Sequence, residues 1–193
     1  SAWGQTALDE ANTAYRNQDY VTAAKGYKAA AAQGSAVAQF NLATMYSNGQ
    51  GVEQDYAEAV KLFQLAAAQG NAAARYNLGT MYSNGQGVAK DFVEAVKWFR
   101  LAAAQGNAAA QFALGRRYRR GEGVEQNYAE AVKWFRLAAA QGNPEAQYGL
   151  GFMYENGQGV AQDYAEAIKW FRLAAEQGNI AAQSDLGSMY DNG

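Results

Sequence analysis

Between residues 72 and 84, Leu78, Gly79 and Tyr82 fall within about 100° of one another at 3.6 residues per turn, so they share one face of a predicted helix. Ala73, Tyr76, Asn77, Thr80 and Asn84 lie on the opposite face. A second helix is predicted from residue 92. Phe92, Ala95, Val96, Phe99, Ala102 and Ala103 make one apolar stripe on it, and Trp98 and Leu101 a second on another side. A helix that is apolar on two sides has to lie between neighbours. The punctuation agrees. Asn71 is a predicted N-cap, Asn84-Gly85 a stop, and Gln86-Gly87-Val88 a short link. Asp91 with Glu94 three residues on reads as a capping box, and Gly106 closes the pair.

The same helix pair returns along the chain. Asp55, Asp91, Asn127 and Asp163 open the second helix at intervals of 36 residues, and Tyr46, Tyr82, Tyr118, Tyr154 and Tyr190 keep that period in the first helix. Pro144 stands at the first helical position, where proline is favoured. Val52, Val88, Val124 and Val160 in the links are expected to anchor into the seams. A period of this length predicts an all-α stack of helix-turn-helix units, each sharing its core with its neighbours. The units are 35–70, 71–106, 107–142 and 143–178, treated as a single repeat domain over 1–193. Residues 1–34 form a weaker opening unit, in which Tyr15 lies four residues before Asp19 where Tyr46 lies nine before Asp55. Residues 179–193 supply the first helix of a last unit, whose uncapped end is expected to expose apolar surface open to self-association.

Composition removes most chemistry. The 193 residues include no Cys and no His, so no thiol nucleophile, imidazole base or cysteine–histidine zinc site can be built. No catalytic residue, cofactor or metal cluster is expected. The Asn48-Gly49-Gln50-Gly51 loops follow a helix rather than a strand and recur in every unit, so turn geometry explains their glycines. A net charge of −2 argues against a nucleic-acid partner. No run reaches the roughly 18 apolar residues of a membrane span, and no charged n-region leads into an apolar h-region at the start.

Function is sought where the units depart from one another. The strongest departure is Arg116, Arg117, Arg119 and Arg120, where other units read Thr-Met-Tyr-Ser-Asn or similar. Like charges three or four residues apart on a helix each cost a few tenths of a kcal/mol. Two readings offset that cost. One is an anion site gripped by guanidinium forks. The other is contact with the negative helix end and pairing with Glu122, Glu125 or Glu155. Phe152 stands where other units have Thr44, Thr80, Arg116 or Ser188, and is a candidate contact residue. Asn41 and Asn77, with Thr80 beside them, are candidates to hold a peptide backbone, since an amide both donates and accepts. The row Phe40, Tyr76, Phe112 and Tyr148 fits either groove anchors or packing between first helices. Glu145, Glu155, Asp185 and Asp191 make the C-terminal end acidic and would suit a partner with separated charges.

The pattern Ala-x-x-x-Leu-Gly-x-x-Tyr-x-x-Gly-x-Gly-Val-x-x-Asp-Tyr-x-x-Ala-x-x-Trp-x-x-x-Ala-Ala-x-x-Gly resembles the Sel1-like repeat, a relative of the tetratricopeptide repeat, over residues 35–193. Residues 1–34 are more similar to a plain tetratricopeptide unit. The resemblance implies a right-handed α-solenoid whose concave face is lined mainly by first helices. It also implies adaptor or binding roles in bacterial envelope, secretion or signalling contexts. A cysteine-rich subgroup has been linked with penicillin binding, and the absence of Cys keeps that activity from carrying over. The expected function is a non-catalytic scaffold for a protein or peptide, with an acidic segment or carboxylate suited to the arginines. An inhibitor or immunity protein and an envelope hydrolase are the alternatives. A periplasmic or secreted location is expected, with the cytoplasm as alternative.

Overall fold

The computed structural model describes residues 2–191, with side chains from Thr6 to Met189; Tyr190 and Asp191 as side chains, and Asn192, lie outside that description. Among the described residues the chain forms eleven α-helices. Within residues 2–84, and again within 108–191, the first helix of a unit (helix A) packs against its own second helix (helix B), and helix B against the helix A that follows. This is an α-solenoid arrangement of stacked hairpins. The chain divides into two compact parts, Ser1–Trp98 and Phe99–Gly193.

The first part holds α1 (Ala2–Arg16), α2 (Tyr20–Ala32), α3 (Ala36–Asn48), α4 (Tyr56–Ala68), α5 (Ala72–Asn84) and the start of α6 (Phe92–Ala104). Its core alternates alanines with larger plugs. Ala23, Ala38, Ala59 and Ala74 bring the helices close, and Tyr27, Leu42, Met45, Phe63 and Leu78 fill the spaces. Val52 and Val88 pack into the seams as the sequence predicts, and Trp98 packs on this core.

The second part holds the rest of α6, then α7 (Ala108–Arg120), α8 (Tyr128–Ala140), α9 (Pro144–Asn156), α10 (Tyr164–Glu176) and α11 (Ile180–Asp191). Leu114, Phe135, Leu150, Met153 and Phe171 are its buried plugs. Val160 and Trp170 pack against the α8–α9 core. A Cβ on Gly115 would sit 2.6 Å from the Phe135 ring, and one on Gly151 2.5 Å from the Phe171 ring. Glycine there lets a phenyl ring lie directly on the helix backbone.

Two expectations change. The second stripe of helix B is only half buried: Leu101, Leu137 and Leu173 are 44–46% exposed. Three residues advance a helix by about 300°, so each leucine rotates past the Trp seam toward solvent. The capping boxes are also incomplete. Asp55 accepts from the Glu58 N–H at 3.0 Å and Asn127 from the Glu130 N–H at 3.0 Å. The cap residues' own N–H groups, which a capping-box Glu would receive, donate instead to Tyr46 at 3.0 Å and Tyr118 at 2.9 Å. The glutamates therefore turn to lysines one turn on, Glu58 to Lys61 at 3.0 Å and Glu130 to Lys133 at 3.3 Å.

Candidate functional site

Helix α7 ends in the Arg-rich turn, and the structure divides its four guanidinium groups in two. Arg117 occupies the register of Met45, Met81 and Met153, all buried. Its side chain is 16% exposed and is paired with Glu122, which stands where other units have Gln50, Gln86 and Gln158. Burial holds the Arg117 pKa below the ordinary guanidinium range, against the opposing charge of Glu122. Arg120 is more exposed and lies 3.8 Å from the same carboxylate. Pairing with Glu122, one of the two sequence readings, thus describes Arg117 and Arg120.

Arg116 and Arg119 lie against aromatic rings instead, although Arg119 also lines a hollow with Arg120 and Glu122. Arg116 lies over the Phe112 ring at 5.7 Å, and Arg119 over the Phe152 ring at 5.1 Å. Burial, then the charges of Arg120 and Arg116, lower the Arg119 pKa. Stacking on a π face leaves the N–H donors at the guanidinium edge available. The two arginines, with Phe112, Tyr148, Phe152 and Glu145, line a cleft of about 530 Å³. Glu145 accepts from the Asn179 amide at 2.9 Å. Tyr148 and Phe152 also line an adjoining hollow of about 770 Å³ with Glu155, Tyr164, Asp185 and Met189. Burial, then the neighbouring Asp185, raises the pKa of the Tyr148 phenol, and burial with the Asp185 charge raises that of the Glu155 carboxyl. The aromatic row serves both sequence readings at once. Phe112 stacks on Phe135 at 5.8 Å and Tyr148 on Phe171 at 5.5 Å, while their outer edges line the cleft.

The first part of the chain carries a cleft of different chemistry. Asn12, Arg16, Tyr27, Phe40, Asn41 and Asn77 line about 730 Å³. The Tyr27 hydroxyl, on a residue only 2% exposed, donates to Asn12 Oδ1 at 2.8 Å, and Asn41 neighbours the same phenol. Asn41 and Asn77 therefore do share a cleft. Thr80 lines a smaller hollow beside it, where its hydroxyl is turned back to the Tyr76 carbonyl at 3.2 Å. No group of three or more acidic residues suited to a metal ion occurs among the described residues. No helix among them is long and apolar enough to cross a membrane.

Family comparison matches the Sel1 repeat to residues 36–71, 72–107, 108–143 and 144–179, with a partial match at 180–193. The chain belongs to the Sel1 repeat family. Among solved structures, a protective antigen of uropathogenic Escherichia coli is 44% identical over 88% of this Sel1 repeat chain, with a TM-score of 0.84. The chain spans only 36% of that antigen's length. A Sel1 repeat protein of Oxalobacter formigenes is 36% identical over 95% of this chain and 75% of its own, with a TM-score of 0.87. An immunity protein of Pseudomonas aeruginosa is 25% identical over 89% of this chain and 67% of its own, with a TM-score of 0.58. No curated protein sequence matches the chain.

Sequence reasoning passed over two features of these Sel1 repeats. Gln39, Gln111 and Gln147 are buried and tie the stack together. Gln111 donates to the Ala103 carbonyl at 3.3 Å and accepts from Gln141 at 2.8 Å, and Gln147 accepts likewise from Gln177 at 2.7 Å. Their shared place in the 36-residue register, interrupted by Arg75, was the available signal. The Asn12–Tyr27 pair escaped notice for the opposite reason: the opening unit has a shorter link, so no periodic alignment picks out Asn12.

Proposed function

We propose that this Sel1 repeat chain is a non-catalytic protein-binding module whose α7–α9 cleft receives an acidic peptide segment. Sel1 repeat proteins are typically protein-interaction scaffolds, and the absence of His and Cys from the chain supports the non-catalytic reading. The observation that carries the proposal is the pair Arg116 and Arg119. Each rests on an aromatic ring and neither has a carboxylate partner among the described residues. A carboxylate from outside would meet two guanidinium groups over an apolar floor, where charge-assisted bonds are stronger than in water. In the first part of the chain, Asn12, Asn41 and Asn77 would hold neutral main-chain groups. The likeness to an immunity protein favours, as a second reading, one dedicated protein partner rather than many peptides.

The test is fluorescence anisotropy with a labelled Glu-rich peptide and its Gln counterpart. The acidic peptide should bind at least tenfold tighter, and Arg116→Glu or Arg119→Glu should cost roughly tenfold to a hundredfold in affinity, the span of one or two charge-assisted bonds. Equal binding of both peptides, or an unchanged affinity in the variants, would overturn the reading.

A further inference from the structure

The cleft beside Arg116 and Arg119 does not end at its aromatic floor. Tyr148 and Phe152 form one wall of it and also one wall of the hollow beyond, where Glu155 and Asp185 stand. Neither acid is paired with a cation among the described residues; the one side-chain bond of Glu155 comes from the Asn156 amide at 3.4 Å. Arg116 and Arg119 thus line one hollow and Glu155 and Asp185 the next, with Tyr148 and Phe152 lining both; the Tyr148 hydroxyl bonds Asp185, and Glu145, which lines the arginine cleft, is held by Asn179.

We propose that this groove is dipolar and receives a peptide segment carrying both an acidic and a basic side chain, with the acid on Arg116 and Arg119 and the base on Glu155 and Asp185. The inference rests on the acidic-segment reading above and adds the second charge. Three observations support it. The hollow holding the acids is at least as large as the basic cleft, about 770 Å³ against about 530 Å³, so both accept a long side chain. Its lining includes Tyr148, Phe152, Tyr164 and Met189, apolar surface on which the methylene stem of a lysine or arginine lies while its head reaches a carboxylate. Burial first, and then the Asp185 charge, raise the energy of the charged Glu155 carboxylate, and an incoming ammonium or guanidinium relieves both.

The spacing on the ligand follows from the floor. Tyr148 and Phe152 are one helical turn apart on α9, and an extended chain advances about 3.3–3.6 Å per residue. The acidic and basic residues of the ligand are therefore expected two to four positions apart, with an apolar residue between them over the rings.

The experiment uses blocked, fluorescein-labelled peptides in which Glu and Lys flank one to four residues including a leucine. Three further sets replace Lys by norleucine, Glu by Gln, or both. They are titrated against the whole chain and against Glu155→Gln/Asp185→Asn. At the favoured spacing, loss of the Lys charge should weaken binding to the unaltered protein about threefold to tenfold and to the variant less than twofold. Loss of the Glu charge should weaken binding to both. The dipolar groove is overturned if removing the Lys charge changes nothing at every spacing, or weakens binding equally with and without the two acids. The acidic-segment reading survives that outcome. It falls separately, and this inference with it, if removing the Glu charge has no effect or no peptide binds.

Discussion

Arg117 and Glu122 depart together from the other units, so the protein supplies the reference states for its own double-mutant cycle. The pairs at this register elsewhere are Met45 with Gln50, Met81 with Gln86 and Met153 with Gln158. Glu122→Gln leaves a guanidinium that is only 16% exposed without its carboxylate. Stranding a fully buried charge costs about 3–5 kcal/mol, and losing one charge-assisted hydrogen bond about 1.5–3. Glu122 itself is 28% exposed, so water partly replaces it, and the expected loss is about 1.5–3 kcal/mol. Arg117→Met removes the desolvated cation and restores a side chain that is fully buried at Met45 and Met153. Glu122 keeps water and Arg120, at 3.8 Å, so that variant should stay within about 1 kcal/mol of the parent. The double variant rebuilds the Met/Gln pair and should equal or exceed the parent by up to about 2 kcal/mol, since apolar replacements of buried ion pairs are often stabilising. The coupling is then about 0.5 kcal/mol at the least, and about 1.5 or more where Arg117→Met is neutral. Urea and thermal denaturation followed by circular dichroism measure it, at about 2–4 °C per kcal/mol for a chain of this size. A double variant whose loss equals the sum of the single losses would refute the idea that the two residues answer each other. So would a Glu122→Gln variant indistinguishable from the parent.

The same double variant should bind the acidic peptide within twofold of the parent, which anisotropy can compare with the loss expected for Arg116→Glu. Gly159→Ala should cost about 3 kcal/mol or more in denaturation, because φ is +71° there and a Cβ would sit 2.4 Å from the Tyr128 backbone; Gly157→Ala, also at positive φ but meeting nothing nearer than the Gln162 Cβ at 3.3 Å, should cost about 1 kcal/mol. Gly151→Ala should cost about 1–3 kcal/mol by crowding the Phe171 ring, and no more, since Ala43 occupies that register in the unit of Phe63. Glu155→Gln should raise the melting temperature at pH 7: the folded carboxyl binds its proton more tightly than the unfolded one, so its charge destabilises the fold above the folded pKa, and the gain should vanish as pH falls below the ordinary Glu range.

The architecture was legible because every signal was written several times. A cap such as Asn71 is weak evidence once, but Asn107 and Asn143 repeat it, and each accepts from the N–H three residues on at 2.8 Å. The site was legible only as a list of departures. Sequence could show that Arg116 and Arg117 are both unusual, yet the two differ by one position, about 100° on a helix. That rotation sends Arg117 into the register of the buried methionines and Arg116 onto Phe112. The Met at 45, 81 and 153 held the clue, since a position that is Met in every other full unit is a core position. The meeting of Glu155 with Asp185 was beyond reach, because it depends on how α9 and α11 approach, and no local pattern encodes that.

The division of the arginines also explains how one helix end tolerates four of them. Arg117 and Arg120 share the Glu122 carboxylate, and the negative end of α7 helps all four. That neutralises at most half of the charge. Arg116 and Arg119 are stabilised differently, by rings at Phe112 and Phe152, and a ring compensates the cation without occupying its N–H groups. An ion pair within the fold would satisfy the donors and close the site. Stacking leaves them oriented and open on one side, Arg119 half-buried and Arg116 exposed. The position of Phe152 belongs to the same argument: it replaces the small or polar residue of other units at the place where it supports Arg119 and floors the cleft. Removing it should therefore act on the arginine as well as on the apolar contact. Phe152→Thr, the residue found at 44 and 80, is expected to weaken the acidic peptide while leaving the fold of α9 intact, whereas a purely structural phenylalanine would show the reverse.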